Sequence, residues 1–206
     1  MRVTKEAQER KNEILDTAEK LFAAKGYEAA TINDILEAVK IAKGTFYYHF
    51  KSKEEVLDAI IERHINIGVF KAKEIIASNL SPLHKFLAII MAQKPEDNSQ
   101  DGLISVLHEK DNSKMHVKSL TQTVLHLSPC IAQVIKEGID AGLYKTPFPL
   151  ESAQILLAAS MVLFDDDFFE WTDDEKAVKI SAFLDIIERT LGAKPESFAE
   201  FAKAFY

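Results

Sequence analysis

Apolar residues recur at intervals of three and four along nearly all of this 206-residue sequence, and few stretches alternate with period two. That spacing lines one face of an α-helix and not one face of a strand. Only seven glycines and six prolines are present to interrupt it, so the pattern points to an all-α fold. The first helix covers roughly residues 5–25, with Ile14, Ala18, Leu21 and Phe22 as its stripe and Gly26 as a left-handed stop. A second starts at Thr31, an N-cap with Asp34 at the third helical position, and buries Ile32, Ile35, Leu36 and Val39. A short third covers about residues 43–50. Ser52 and Glu55 form a capping box that opens a long fourth to about Ser78.

Ser81 followed by Pro82 opens a fifth helix. Residues 94–102 read as a polar loop and 103–109 as a sixth, short helix. A seventh runs from about 114 to 142. Pro129 lies inside it and should kink or break it near Leu125 by removing a backbone donor. An eighth takes residues 150–171, and Thr172 with Glu175 caps a ninth that stops at Gly192. A last helix covers about 195–205.

The apolar content, 47%, is ample for a buried core. No apolar run reaches the ~18 residues that a membrane span needs. The charged N-terminus lacks the apolar block of a secretory leader, so a cytoplasmic protein with no membrane partner is expected. Cys130 is the one cysteine and sits among apolar residues, where a buried, inert thiol is expected. The six histidines and the acidic run at 165–167 have no metal-ligand spacing, and neither metal nor cofactor is expected. Nucleophile elbow, phosphate loop and dinucleotide fingerprint are all missing, so an enzyme is not expected.

The net charge is −7, but it is uneven. Residues 1–53 hold ten basic and eight acidic side chains, a net of +2; residues 54–206 hold fifteen and twenty-four, a net of −9. A basic head (1–53) and an acidic body (54–206) are the expected domains. The head ends in Lys43-Gly-Thr45-Phe46-Tyr47-Tyr48-His49-Phe50-Lys51-Ser-Lys53. Phe46 and Phe50 stand four apart and mark a buried face. A helix that already buries both cannot also turn Tyr47, Tyr48 and His49 inward, so at least two of these must face water or a partner. Two short helices joined by residues 39–42 form a helix-turn-helix unit. The polar tips of Thr45, Tyr47, Tyr48 and His49 suit phosphates and base edges. Lys43 enters at the helix N-terminus, where bases are met. Thr31 caps a helix whose free amides suit a phosphate, and Lys53 would pin the other flank.

The segment from Ala18 to Tyr27 (A-x-x-L-F-x-x-K-G-Y), Thr31-Ile32 and K-G-T-F-Y-Y-H-F-K-S-K-E-E resembles the N-terminal domain of the tetracycline-repressor (TetR) family of bacterial regulators. The resemblance covers about forty-five residues. It implies a three-helix DNA-binding head on an all-helical body that binds a ligand and dimerises. It also implies DNA contacts at Thr31, Lys43, Thr45, Tyr47, Tyr48, His49 and Lys53. Lys40 and Ala42 stand where family members usually have glycine and serine. Lys40 is therefore expected at positive φ, Ala42 cannot cap the third helix, and Lys40 is placed to replace the serine's phosphate contact electrostatically.

In that light the chain is expected to be a ligand-responsive transcriptional regulator, a repressor, binding a palindromic operator as a homodimer. The eighth and ninth helices, about 150–171 and 173–192, are the expected dimer surface, through Ala158, Ala159, Ser160, Val162 and Leu163 and the stripe Ile180, Phe183, Leu184, Ile187 and Leu191. A small-molecule effector would sit among Phe70, Phe86, Ile90, Leu107 and Met115, Leu120 and Phe164, with His108, His116 and Thr123 as polar partners. The alternative is an all-helical small-molecule-binding or interaction protein that does not bind DNA.

Overall fold

The computed structural model describes residues 7–92, 113–165, 168–199 and 201, and of residues 113–115 the backbone alone. Among them eight helices and no strand occur: α1 Ala7–Lys25, α2 Ile32–Val39, α3 Lys43–His49, α4 Lys53–Ala77, α5 Pro82–Met91, α6 Ser113–Asp140, α7 Pro149–Leu163 and α8 Asp173–Leu191. They fall into two compact units. One takes Met1–His64 with Pro95–Ser119, the other Ile65–Lys94 with Leu120–Tyr206. The expected sixth helix, 103–109, lies outside the described residues.

In the first unit, α1 buries Ile14, Leu15, Ala18 and Phe22, one face of its 3.6-residue period. Gly26 ends it at φ 77. Ile35 from α2, Phe46 from α3, Phe50 and Ile60 complete a core in which none of these side chains is more than 2% exposed. Each such side chain contributes about 1.5–3 kcal/mol by leaving water. At the end of α2, Lys40 adopts φ 58, ψ 47, with its N–H donating to Glu37 O. A left-handed lysine costs about 1 kcal/mol. Ala42 precedes α3 with no side-chain cap. Across α1 and α4, Arg63 bridges Asp16 and Glu19 at 2.5 Å each, and His64 Nε2 lies 2.8 Å from the other oxygen of Glu19. Burial pushes the Glu19 carboxyl up, but His64 and Arg63 together bring it below its ordinary value. Lys118, near the start of α6, is bonded to Asp58 and lies 3.6 Å from Glu54.

The core of the second unit is built from Phe86 and Ile89 on α5, Leu127, Ile131 and Ile135 on α6, Leu156 and Leu157 on α7, and Ile180, Leu184, Ile187 and Leu191 on α8. Ser81 and Pro82 start α5 as their positions dictate. Helix α6 continues unbroken through Pro129. The carbonyl that loses its donor belongs to Leu125, whose side chain is exposed, so water can take the missing bond there. Cys130 is buried, and desolvation raises its thiol pKa. Gly138 leaves room for the ring of Tyr144: a Cβ there would stand 2.1 Å from Cδ2.

Two expected elements are shorter than their sequence suggests. Helix α7 ends at Leu163 rather than at Trp171. The acidic run that follows opposes the negative end of the helix dipole. The indole of Trp171 then folds back and donates to Leu163 O at 2.9 Å. Beyond α8, the described part of 195–205 is a turn and a short 3₁₀ segment, not an α-helix. The buried Glu188 carboxylate accepts from the N–H groups of Glu196 and Phe198, both at 2.9 Å, and fixes that turn.

Candidate nucleic-acid interface

The short α3 divides its circumference cleanly. Phe46 is fully buried and Phe50, just beyond the helix, is 2% exposed. Tyr47 and Tyr48 are 45% and 77% exposed, and His49 is half-buried with its ring 4.9 Å from that of Tyr48. Lys43 is exposed and places its ammonium 5.8 Å from the centre of the Tyr47 ring. Thr45 is half-buried. Five of the seven expected contact residues thus lie on one short helix, with the phenols turned to solvent.

His49 is pulled below its ordinary pKa, first by burial and then by the positive charges of Lys11 and Arg10. Neutral pH therefore favours the uncharged imidazole, which offers one donor and one acceptor. Between Lys43 and Thr45, Gly44 has open space where a Cβ would stand. Glycine inside a helix destabilises it by about 0.5–1 kcal/mol relative to alanine. Among the described residues no neighbour packs close enough to require it here. Sequence reasoning passed over Gly44; the signal was a glycine within a short helix of otherwise bulky residues.

Thr31 and Lys53 are engaged differently from the other five. The Thr31 hydroxyl donates to Asp34 Oδ2 at 2.7 Å, the Thr31 N–H donates to the same oxygen at 2.8 Å, and Asp34 N donates back to the hydroxyl at 3.1 Å. The Lys25 ammonium, 2.8 Å from Asp34 Oδ1, and the Thr31 bonds hold the Asp34 carboxyl well below the usual carboxylate range. The N-terminus of α2 thus already carries an anion of its own. Lys53 Nζ donates to the carbonyls of Tyr27 at 2.6 Å, Ala30 at 2.9 Å and Glu28 at 3.3 Å, and lies 4.2 Å from the centre of the Tyr27 ring. Its three protons are directed into the loop between α1 and α2, where the sequence suggested an outward reach.

In the second unit, a cavity of ≈ 30 Å³ opens among Phe86 and Ile90 of α5, Ile131 of α6, Leu156 and Ser160 of α7, and Phe183 of α8. Its one hydroxyl, Ser160, donates to Leu157 O. Of the expected effector contacts, Phe86 and Ile90 line it. Phe164 is close by, its ring 5.7 Å from that of Phe183. Phe70 is 62% exposed, Leu120 and Thr123 are half-buried away from the lining, and His116 is buried in the first unit. Leu107, His108 and the Met115 side chain lie outside the described residues.

The expected dimer stripe on α8 is also placed differently. Ile180, Phe183, Leu184, Ile187 and Leu191 are all under 9% exposed and belong to the core of their own unit. Of the expected α7 residues, Ala159 and Val162 are exposed and Ala158, Ser160 and Leu163 are half-buried; Ile155 on α7 and Val178 and Ile186 on α8 are exposed besides. Among the described residues no cluster of three metal-ligating side chains occurs, and no helix is long and apolar enough to cross a membrane.

Residues 14–60 match the family of bacterial regulatory proteins of the tetR type, and residues 97–186 match the tetracyclin repressor-like C-terminal domain. The transcriptional repressor KstR2 of Rhodococcus jostii is 31% identical over 147 residues, which cover 70% of this chain and 72% of the repressor. The chain belongs to the TetR family. KstR2 of Mycobacterium tuberculosis is 32% identical over 91 residues, 44% of this chain and 46% of that protein, so the match spans about half the length of that relative. Among solved structures, SmeT, the repressor of a multidrug efflux pump of Stenotrophomonas maltophilia, superposes with a TM-score of 0.64 at 22% identity over 90% of this chain and 91% of its own. A TetR-family regulator from Pectobacterium atrosepticum gives 0.67 at 19% identity, over 92% and 98%. At those identities the likeness is one of fold.

Proposed function

We propose that this TetR-family chain is a ligand-responsive transcriptional repressor that binds a palindromic DNA operator as a homodimer, reading the major groove with α3. The observation that carries this is the exposure of Tyr47 and Tyr48 beside Lys43 and Gly44 on a helix whose other face is sealed by Phe46. Phenols present an apolar ring and a polar tip to a partner, and the absent side chain at Gly44 leaves room for close approach by a duplex backbone. The Rhodococcus and Mycobacterium relatives are named as repressors, which supports repression over activation. One α3 reads only a few base pairs, so a second copy supplies the other half-site about 34 Å away. The exposed apolar residues of α7 and α8 are the surface for that second copy. The functional division is a DNA-reading head, about residues 1–53, and an effector-binding and dimerising body, about 54–206, acting in the cytoplasm.

The effector enters at the cavity beside Phe86, Ile90 and Ser160. At ≈ 30 Å³ it has room for about one water, so a ligand must part the lining. Helices α4 and α6 each contribute residues to both units, which gives such a change a route to the heads by coupling. Titrating the protein with random duplex DNA and with the DNA upstream of its own gene, at several salt concentrations, tests the reading. A regulator gives a salt-dependent non-specific term and a site tighter by about 10³-fold or more. Absence of any salt-dependent binding would leave the helical binding module without DNA as the better description.

A further inference from the structure

Five cations of the head already make contacts inside the protein. Lys53 donates to three carbonyls and Lys25 is bonded to Asp34. Arg10 is bonded to Glu13. Lys11 and Lys43 lie over the rings of Phe50 and Tyr47, at 5.6 and 5.8 Å from the ring centres. Lys20, Lys40 and Lys51 differ from these: each is exposed, and among the described residues none of their ammonium groups has a hydrogen bond or an ion pair. Of the three, Lys40 alone leads directly into the N-terminus of α3. It also stands at φ 58 in the three-residue joint that leads from α2 into α3. Glycine takes that conformation freely, whereas lysine takes it under strain. A strained backbone therefore presents an unengaged cation beside the helix with the exposed phenols.

We propose that Lys40 is a phosphate anchor of the DNA interface, a positioning residue that fixes how α3 enters the groove. This rests on the DNA-binding reading above. The two anchors expected from sequence, Thr31 and Lys53, make internal bonds in the free protein, so the joint between α2 and α3 carries the electrostatic hold instead. A lysine is suited to this role, since it meets a phosphate as a point charge from a long, flexible stem. The rival explanation is purely local: a cation at the C-terminal end of α2 favours the helix dipole.

The two explanations separate in Lys40→Gly, which relieves the backbone strain and removes the charge together. The full-length chain is titrated with a 30-base-pair random duplex across a salt series, alongside Lys40→Gly, Lys40→Arg and Lys136→Gln, the last removing an exposed charge from the other unit. The anchor predicts that Lys40→Gly melts no lower than the unaltered protein, yet binds roughly threefold to tenfold more weakly at low salt. The slope of log K against log salt should shrink by about 0.9 per head, with Lys40→Arg restoring it. Lys136→Gln should leave the slope unchanged. If Lys40→Gly keeps the full slope, or Lys136→Gln loses as much, the anchor is overturned while DNA binding stands. If the unaltered protein ignores the duplex at every salt, the anchor and the reading beneath it fall together.

Discussion

The Lys53 ammonium is 2.6 Å from the Tyr27 carbonyl oxygen and 4.2 Å from the centre of the Tyr27 ring, so one residue at the start of α4 ties down the loop between α1 and α2 from both its backbone and its side chain. The carbonyls of Ala30 and Glu28 complete the arrangement. Hydrogen bonds to a charged group contribute about 1.5–3 kcal/mol each when their removal strands a partner, but these carbonyls are near enough to solvent to recover part of that. Lys53→Ala should therefore destabilise the protein by about 2 kcal/mol, read as a lower urea midpoint at unchanged slope. Any loss of DNA affinity should be recovered under conditions that keep the variant folded. A variant of undiminished stability that binds DNA more weakly would return Lys53 to the phosphate backbone.

Lys53 also marks where the sequence stopped being readable. Helix existence followed from the three-and-four spacing and from caps whose chemistry is local: Thr31 with Asp34, Ser81 with Pro82, Thr172 with Glu175. The outward face of α3 followed from geometry alone, because Phe46 and Phe50 exhaust the buried face. What a lysine bonds to, however, depends on carbonyls some twenty-five positions away, and no periodicity encodes that. The same limit explains the α8 stripe. Its apolar period correctly marks a buried face, but not whether its own unit or a second copy buries it. It explains the effector contacts too, since Phe70 and Phe86 are equally apolar in sequence and only packing leaves the first exposed and the second enclosed.

Gly44 should behave oppositely in stability and in binding. Its Cβ position is open, so alanine meets no clash and gains the helix preference of about 0.5–1 kcal/mol. If α3 lies in a groove, that methyl group meets the duplex. Gly44→Ala should raise the melting temperature by a few degrees and lower specific DNA affinity roughly tenfold, measured by calorimetry and fluorescence anisotropy. Tyr48→Ala should match it in binding while leaving stability nearly unchanged, because the ring is 77% exposed. Equal DNA affinity in both variants would remove α3 from the interface.

Acid should weaken the cap of α2 in a defined window. In the folded protein the bonds from Lys25 and Thr31 hold the Asp34 carboxyl below its ordinary 3.8, so the unfolded chain takes up the proton first. The stabilisation is therefore present above that ordinary value and is lost as pH falls from it toward the lowered folded value. Glu19, lowered from 4.5 by His64 and Arg63 against the effect of burial, acts in the same direction. Melting temperatures recorded from pH 7 to 2 should fall more steeply below pH 4 in the unaltered protein than in Asp34→Asn, and the two curves should converge at the acid end. Parallel curves throughout would mean that the Asp34 charge contributes nothing to the cap.

The exposed side chains of α7 and α8 make two short rows. Ile155 and Val162 stand seven apart with the exposed Ala159 between them, and Val178 and Ile186 stand eight apart with the exposed Ala182 between them. At helical spacing each row keeps to one side of its helix, and the alanines let another backbone come close. Ile155 and Val178 are 65% and 69% exposed, so their burial against a second copy is the available gain, and charge placed there does not disturb the core. Ile155→Glu combined with Ile186→Glu should leave helicity and melting of the monomer intact while shifting the sedimentation coefficient from dimer to monomer at micromolar concentration. Specific operator binding should then collapse by about 10²-fold or more, because two half-sites no longer share one particle, whereas weak salt-dependent binding to random duplex persists. Ile187→Glu, one position on but 4% exposed, should unfold the body instead. A double variant that still sediments as the dimer would move the interface off this face.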